Sequence, residues 1–162
     1  MIFKQSDFLS GMDHTFVKDL MDGAEKTAHA AGDILFREGD ATRAFFVLIK
    51  GHVKLTVGKD AQTVYVINHP GECFGWSSLV NRACYSASAV CAAPTTLMRI
   101  DKTASRAVME KNPAQGLLFM ERVAGMIGDR LLQSYRALSS FALLADHPTD
   151  GTGQVQESRE LV

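Results

Sequence analysis

The chain has 162 residues, 46% of them hydrophobic and 22% charged, with a formal net charge of −1. That is the balance of one ordinary soluble globular domain with small additions, large enough for a real core. It excludes bulk electrostatic attraction to nucleic acid or to a membrane surface, and no apolar run approaches the roughly 18 residues a bilayer-spanning helix needs.

The first residues, Met1 to Asp7, lack the basic-then-apolar order of a secretory signal. Ser6 or Asp7 can cap a helical turn around Phe8 and Leu9. Asp13 suits the N-cap of a second helix carrying Phe16, Val17, Leu20 and Met21, which Gly23 can end. From about Lys26 the period changes. Ile34, Phe36, Phe45 to Ile49, Val53, Leu55, Val57, Val64, Val66 and Ile67 fall in short apolar or alternating runs. Gly32-Asp33, Glu38-Gly39-Asp40, Lys50-Gly51, Gly58-Lys59-Asp60 and Pro70-Gly71 separate them. Strand-like runs follow near Ala87–Ala92 and Thr95–Ile100. Many short strands between Gly/Asp turns predict an antiparallel sandwich or barrel.

The helical period then returns. Asp101 can cap a short helix with Ala104, Ala107, Val108 and Met109, and Asn112-Pro113 joins a cap to proline at the first helical position. The helix starting there is expected to reach Leu143 or Leu144, roughly 30 residues and about 45 Å. Along it Leu117, Met120, Ala124, Ile127, Leu131, Ser134, Leu138 and Phe141 alternate at spacings of three and four, a heptad seam. Either that seam packs on the β structure, or a second set (Leu118, Val123, Leu132 and Tyr135) does so and leaves the seam for a partner. The stretch 146–162 is polar, with Pro148, Gly151 and Gly153, and is expected to be a disordered tail.

Four motifs then stand in order: Ala31 to Asp40, Phe45 to Val53, Pro70 to Gly75, and Asn112-Pro113 with Val123-Ala124 and Arg130-Leu131. Together with the element order they resemble the cyclic nucleotide-binding domain, the sensor domain of the bacterial catabolite activator and of the oxygen-sensing regulators. The resemblance covers about residues 8 to 142. It likens these motifs to the family's first hairpin, its aromatic strand and turn, the approach to its phosphate cassette, and its C-helix. It implies a mainly β fold with flanking helices: an antiparallel, cupin-like double-stranded β-helix, or jelly roll, with short N-terminal helices and a long C-terminal dimerisation helix. The expected domain is 1–145, with helices over 6–23, a jelly roll over 26–100 and C-helices over 101–144.

The resemblance places the ligand site at Phe74, Gly75, Trp76, Ser77, Ser78, Arg82, Tyr85 and Ser86. A cassette of this kind works because a short helix N-terminus presents backbone N–H groups to a phosphate, with a glycine allowing close approach. In members that bind cyclic nucleotides, a Glu follows the glycine and holds the ribose 2′-hydroxyl. An Arg nine or ten residues later pairs with the cyclic phosphate through parallel charge-assisted hydrogen bonds. Here those two positions are Trp76 and Tyr85. One reading keeps a pocket for a cyclic nucleotide or another small ligand, with Trp76 stacking on a flat ring, Tyr85 and the serines donating hydrogen bonds, and Arg82 reaching a phosphate. The other has Trp76 fill the pocket and Tyr85 pack over it, leaving a dimerisation or protein-interaction module.

The resemblance further implies a cytoplasmic, non-catalytic regulator. It would form a homodimer through Met120, Ala124, Ile127, Leu131, Leu138 and Phe141, with a partner protein reading the shift of the helix pair. Transcription factors of the family carry a helix-turn-helix domain of some 70 residues after the C-helix. Two expectations follow: the sensor half of a transcription regulator lacking its helix-turn-helix domain, or, as the polar stretch up to Val162 favours, a stand-alone domain that does not touch nucleic acid by itself. A cupin-type metal enzyme would need converging histidines. Of His14, His29, His52, His69 and His147, only His52 and His69 lie near strands, and no His-x-His pair exists. No Gly-x-Ser-x-Gly elbow supports a serine hydrolase. Cys73, Cys84 and Cys91 are odd in number and lack Cys-x-x-Cys spacing, so free, small buried thiols are expected rather than a disulfide framework, a zinc site or a redox centre.

Overall fold

A computed structural model describes residues 8–145. The first helix, α1 (His14–Asp22), begins where the Asp13 carboxylate accepts a hydrogen bond from the Phe16 N–H at 3.0 Å, and ends at Gly23. The helical turn expected at Phe8 and Leu9 is instead a non-helical turn, because Gly11 at φ +73° leaves the right-handed region after too few residues for a helix. Its suggested caps, Ser6 and Asp7, lie outside the described residues, as does the stretch 146–162.

Eight strands follow: β1 (Ala24–His29), β2 (Ile34–Phe36), β3 (Ala44–Lys50), β4 (Val53–Val57), β5 (Gln62–Ile67), β6 (Cys73–Phe74), β7 (Ser88–Cys91) and β8 (Thr95–Asp101). They form two antiparallel four-stranded sheets, in the orders β1-β8-β3-β6 and β2-β7-β4-β5. This is the jelly-roll architecture expected, with strands reaching slightly past the expected bounds to Ala24 and Asp101. One expectation fails. Residues Ala31 to Asp40 make no hairpin, since β1 pairs with β8 in one sheet and β2 pairs with β7 in the other. The Gly32-Asp33 and Glu38-Gly39-Asp40 turns carry the chain between sheets.

The interior holds Phe36, Phe46, Leu48, Val53, Ile67, Phe74, Tyr85, Ala89, Cys91 and Leu97. Successive strand residues face opposite ways. In β3 this puts Phe46 into the roll and Phe45 against the helices, so Ala44 to Leu48 are all buried. The aromatic side chains outside the first sheet converge on Phe119, with ring centroids 5.3 Å to Phe8, 6.2 Å to Phe16 and 5.7 Å to Phe45.

Asp101 caps α2 (Lys102–Lys111), accepting from the Thr103 and Ala104 N–H groups at 2.9 and 3.2 Å. Asn112 caps α3 (Pro113–Ala145) through the Gln115 N–H at 3.3 Å. Gln115 in turn accepts from the Asp13 N–H at 2.8 Å, joining the starts of α1 and α3. The first compact unit runs to Val123, and α3 from Ala124 onward belongs to a second. Within the first, α3 buries Phe119 and Val123 completely and sets Gly116 against Met109. Phe119 belongs to neither of the two apolar sets expected from the sequence. Within the second unit, Leu131, Leu132, Tyr135, Leu138 and Phe141 are 47–69% exposed, so Leu132 and Tyr135 do not share the burial of Val123. No helix among the described residues is long and apolar enough to cross a membrane.

Candidate functional site

The cassette is anchored from behind by Glu72. Its carboxylate accepts from the Asn68 and His69 N–H groups, both at 2.8 Å, and from the Tyr65 hydroxyl at 3.2 Å. β6 then lies on β3, Phe74 opposite Phe46, with their rings stacked 5.2 Å apart. Phe74 is therefore core. Gly75 follows at φ +79°, and a Cβ there would come within 3.1 Å of the Ala44 carbonyl and 3.3 Å of the Phe46 ring. Only glycine meets both the left-handed backbone and the contact with β3.

Trp76, Ser77 and Ser78 form one 3₁₀ turn. The Ser78 N–H and hydroxyl both donate to the Gly75 carbonyl, at 3.1 and 2.9 Å. The N–H groups of Trp76 and Ser77, first in the turn, have no partner within it. Ser77 is buried, with its Oγ 3.4 Å from that of exposed Ser86. Trp76 is half-buried, and exposed Arg82 lies over its ring with the guanidinium carbon 5.4 Å from the centroid. That is a cation–π contact of about 0.5–1 kcal/mol at an exposed site.

Tyr85 is elsewhere. Its ring stacks on Phe36 at 3.8 Å and 15°. Its hydroxyl donates to the Ala44 carbonyl at 2.6 Å and accepts from the Ala44 and Arg43 N–H groups at 3.0 and 3.2 Å. A phenol has one proton and two lone pairs, so this hydroxyl is saturated by the backbone. Tyr85 is thus not placed as the hydrogen-bond donor to a ligand expected of it, nor does it cover Trp76. Its main chain also bonds Gly39 and Asp40. The structure brings Gly75, Trp76, Ser77, Ser78, Arg82 and Ser86 together and sends Phe74 and Tyr85 inward.

A cavity of about 410 Å³ reaches Tyr85 but not Trp76. Leu35, Phe36, Phe46, Tyr85, Arg43 and Arg99 line much of it. Neither arginine stood out in the sequence, although Arg99 interrupts the apolar run Leu97-Met98-Ile100 and so carried a signal. Among the described residues no group of three or more His, Cys, Asp or Glu is placed to hold a metal ion. Cys73 and Cys91 are buried, and burial pushes the Cys91 thiol up; Cys84 is exposed, unlike the small buried residue expected.

The model of the cyclic nucleotide-binding domain family matches residues 26–112, from β1 through the cap of α3. The chain belongs to that family. Among solved structures, a proposed cyclic nucleotide-binding protein from Geobacter metallireducens is similar at 28% identity and a TM-score of 0.70, covering 78% of this chain and 92% of that one. The catabolite activator protein of Thermus thermophilus is similar at 23% identity and TM-score 0.66, covering 83% of this chain and 62% of that one. The c-di-GMP-responsive global regulator CLP of Xanthomonas campestris is similar at 15% identity and TM-score 0.69, covering 82% and 66%. No curated protein matches. Within this cyclic nucleotide-binding domain, Gly75 supplies the left-handed turn that leads into Trp76–Ser78.

Proposed function

We propose that this chain is a non-catalytic, cytoplasmic regulatory domain that senses a small ligand in the roll and reports it through paired α3 helices. The ligand is not held by the Glu–Arg grip of cyclic nucleotide binders. One observation carries this reading. The cassette backbone is built to receive a ligand, with Gly75 left-handed and the first N–H groups of the turn without partners in it. The residue at the family's phosphate position, however, is Tyr85, whose hydroxyl is saturated by Ala44 and Arg43. The likeness in fold to a regulator named for its response to c-di-GMP supports the idea that this scaffold serves more than one ligand. Pairing through α3 is supported by Leu131, Leu138 and Phe141, which are exposed at 47%, 52% and 69% at seam positions. A second reading, a dimerisation module with no ligand, is favoured by the aromatic residues Phe36, Phe46, Phe74 and Tyr85 stacked inside the roll.

Trp76 is the only tryptophan, so its fluorescence reports on the cassette. Titration with cyclic AMP and cyclic GMP is expected to leave its emission unchanged, while sedimentation gives a dimer that Leu131→Glu converts to monomer. Saturable binding of either cyclic nucleotide would sink the altered-grip reading. An unchanged dimer in the Leu131→Glu variant would sink the seam.

A further inference from the structure

We propose that the cavity between β2, the Asp40–Ala44 segment and β8 binds a small organic anion, a carboxylate or phosphate carried on a compact apolar body. It is not the cassette. Of the cassette residues, Tyr85 alone lines it. Its volume of about 410 Å³ lies in the lower part of the range typical of small-molecule sites, roughly 300–1,000 Å³.

The lining divides by chemistry. Leu35, Phe36 and Phe46 supply an apolar floor. Arg99 sits beside Phe46 because the β3–β8 register pairs the two. Arg43 enters from the segment just before β3. Among the described residues neither guanidinium has an ion-pair partner within 4.0 Å or a side-chain hydrogen bond. Arg99 is half-buried in a strand flanked by buried Met98 and Ile100. A guanidinium offers five N–H donors, and leaving those of Arg99 half-desolvated and unpaired costs free energy that an anion between it and exposed Arg43 would recover.

The nearby acids do not supply that anion. Asp40 itself lines the cavity; its carboxylate accepts from the Arg37 N–H at 2.8 Å and makes no ion pair with either arginine. Glu25, opposite Arg99 across the β1–β8 ladder, is exposed and makes no ion pair with it. Lys102, whose N–H donates to the Arg43 carbonyl at 2.8 Å and whose ammonium donates to Thr42, adds positive charge to the flanking segment. The apolar floor selects against bare inorganic ions, and the two guanidinium forks select for oxyanions.

The test is ¹H–¹⁵N NMR of the full chain titrated with phenyl phosphate, benzoate and inorganic phosphate. Phenyl phosphate or benzoate is expected to move the amides of Ala44, Tyr85 and Arg99 saturably, with inorganic phosphate binding at least about tenfold more weakly, as burial of the ring predicts. Arg99→Gln and, separately, Arg43→Gln should each weaken binding by about tenfold or more, the loss of a hydrogen bond to a charged group, with dimer and melting curve unchanged. Arg43 is exposed, so its variant keeps the test decisive if Arg99→Gln folds poorly. No saturable shift at millimolar concentrations, equal binding of inorganic phosphate, binding undiminished in both variants, or shifts centred on Trp76 to Arg82 would each overturn the proposal.

Discussion

The Tyr85 hydroxyl serves two backbone N–H groups and one carbonyl at the start of β3. Tyr85→Phe keeps the ring stacked on Phe36 and strips those groups of their partner. An expected loss of about 1–3 kcal/mol in urea unfolding is the cost of leaving buried groups unsatisfied. A variant as stable as the parent would mean water replaces the hydroxyl. The cysteines separate just as cleanly. A thiol reacts as thiolate and needs access. Ellman's reagent should therefore titrate Cys84 alone in the folded protein, and Cys73 and Cys91 only after unfolding; Cys84→Ser should abolish the fast phase. At this scale the resemblance singled out Trp76 and Tyr85 and left their destinations open. Trp76 and Tyr85 are both large aromatic residues, and composition does not tell a half-exposed ring under an arginine from a buried one bonded to backbone.

Caps were the most legible feature of the elements. Asp13, Asp101 and Asn112 each accept the N–H three residues on, as a local signal read locally should. The absence of a hairpin over Ala31 to Asp40 has a physical cause: a turn fixes where a strand begins, whereas the sheet it joins is decided by distant partners, such as Val90 for Ile34 and Ile100 for Ala24. Phe119 escapes the sequence pattern for a related reason. Heptad spacing picks out the seam, while burial in the first turns of α3 follows Phe119 and Val123 at i and i+4, with Phe119 set against the aromatic rings of α1 and β3. Phe119→Ala should cost about 3–5 kcal/mol, the usual range for emptying an aromatic core site, read as a lower urea midpoint. A cost below 1 kcal/mol would mean the helix does not rely on that anchor.

For the molecule as a whole, polar contacts tie the helices to one another. Lys111 donates to Asp19 at 2.6 Å, linking the end of α2 to α1, and this hydrogen bond holds the Asp19 carboxyl below its usual value of 3.8. A lowered carboxyl stabilises the fold above its unfolded value, and that contribution disappears as pH falls through the folded value. The stability gap between the parent and Asp19→Asn is therefore expected at neutral pH, narrowing below about pH 4. Because the pair is solvent-exposed, high salt should shrink it too. A gap that grows on acidification would reverse the assignment. Fold class and the family's layout were legible because they rest on the order of many weak local signals. The cavity with Arg43 and Arg99 was not, since it exists only once β2 of one sheet meets β3 and β8 of the other.

The pairing of β1 with β8 bears on how the chain acquires its shape. Ala24 meets Ile100, so the first and last strands are neighbours in one sheet, and the central ladder joins β3 to that same late strand. Closing such distant partners is entropically slow. On the ribosome β1 and β3 must wait, unpaired along one edge, until β8 has emerged. The segment Phe45-Phe46-Val47-Leu48-Ile49 spends that interval as the most aggregation-prone stretch of a nascent chain, with Lys50 and Arg43 as its flanking gatekeepers.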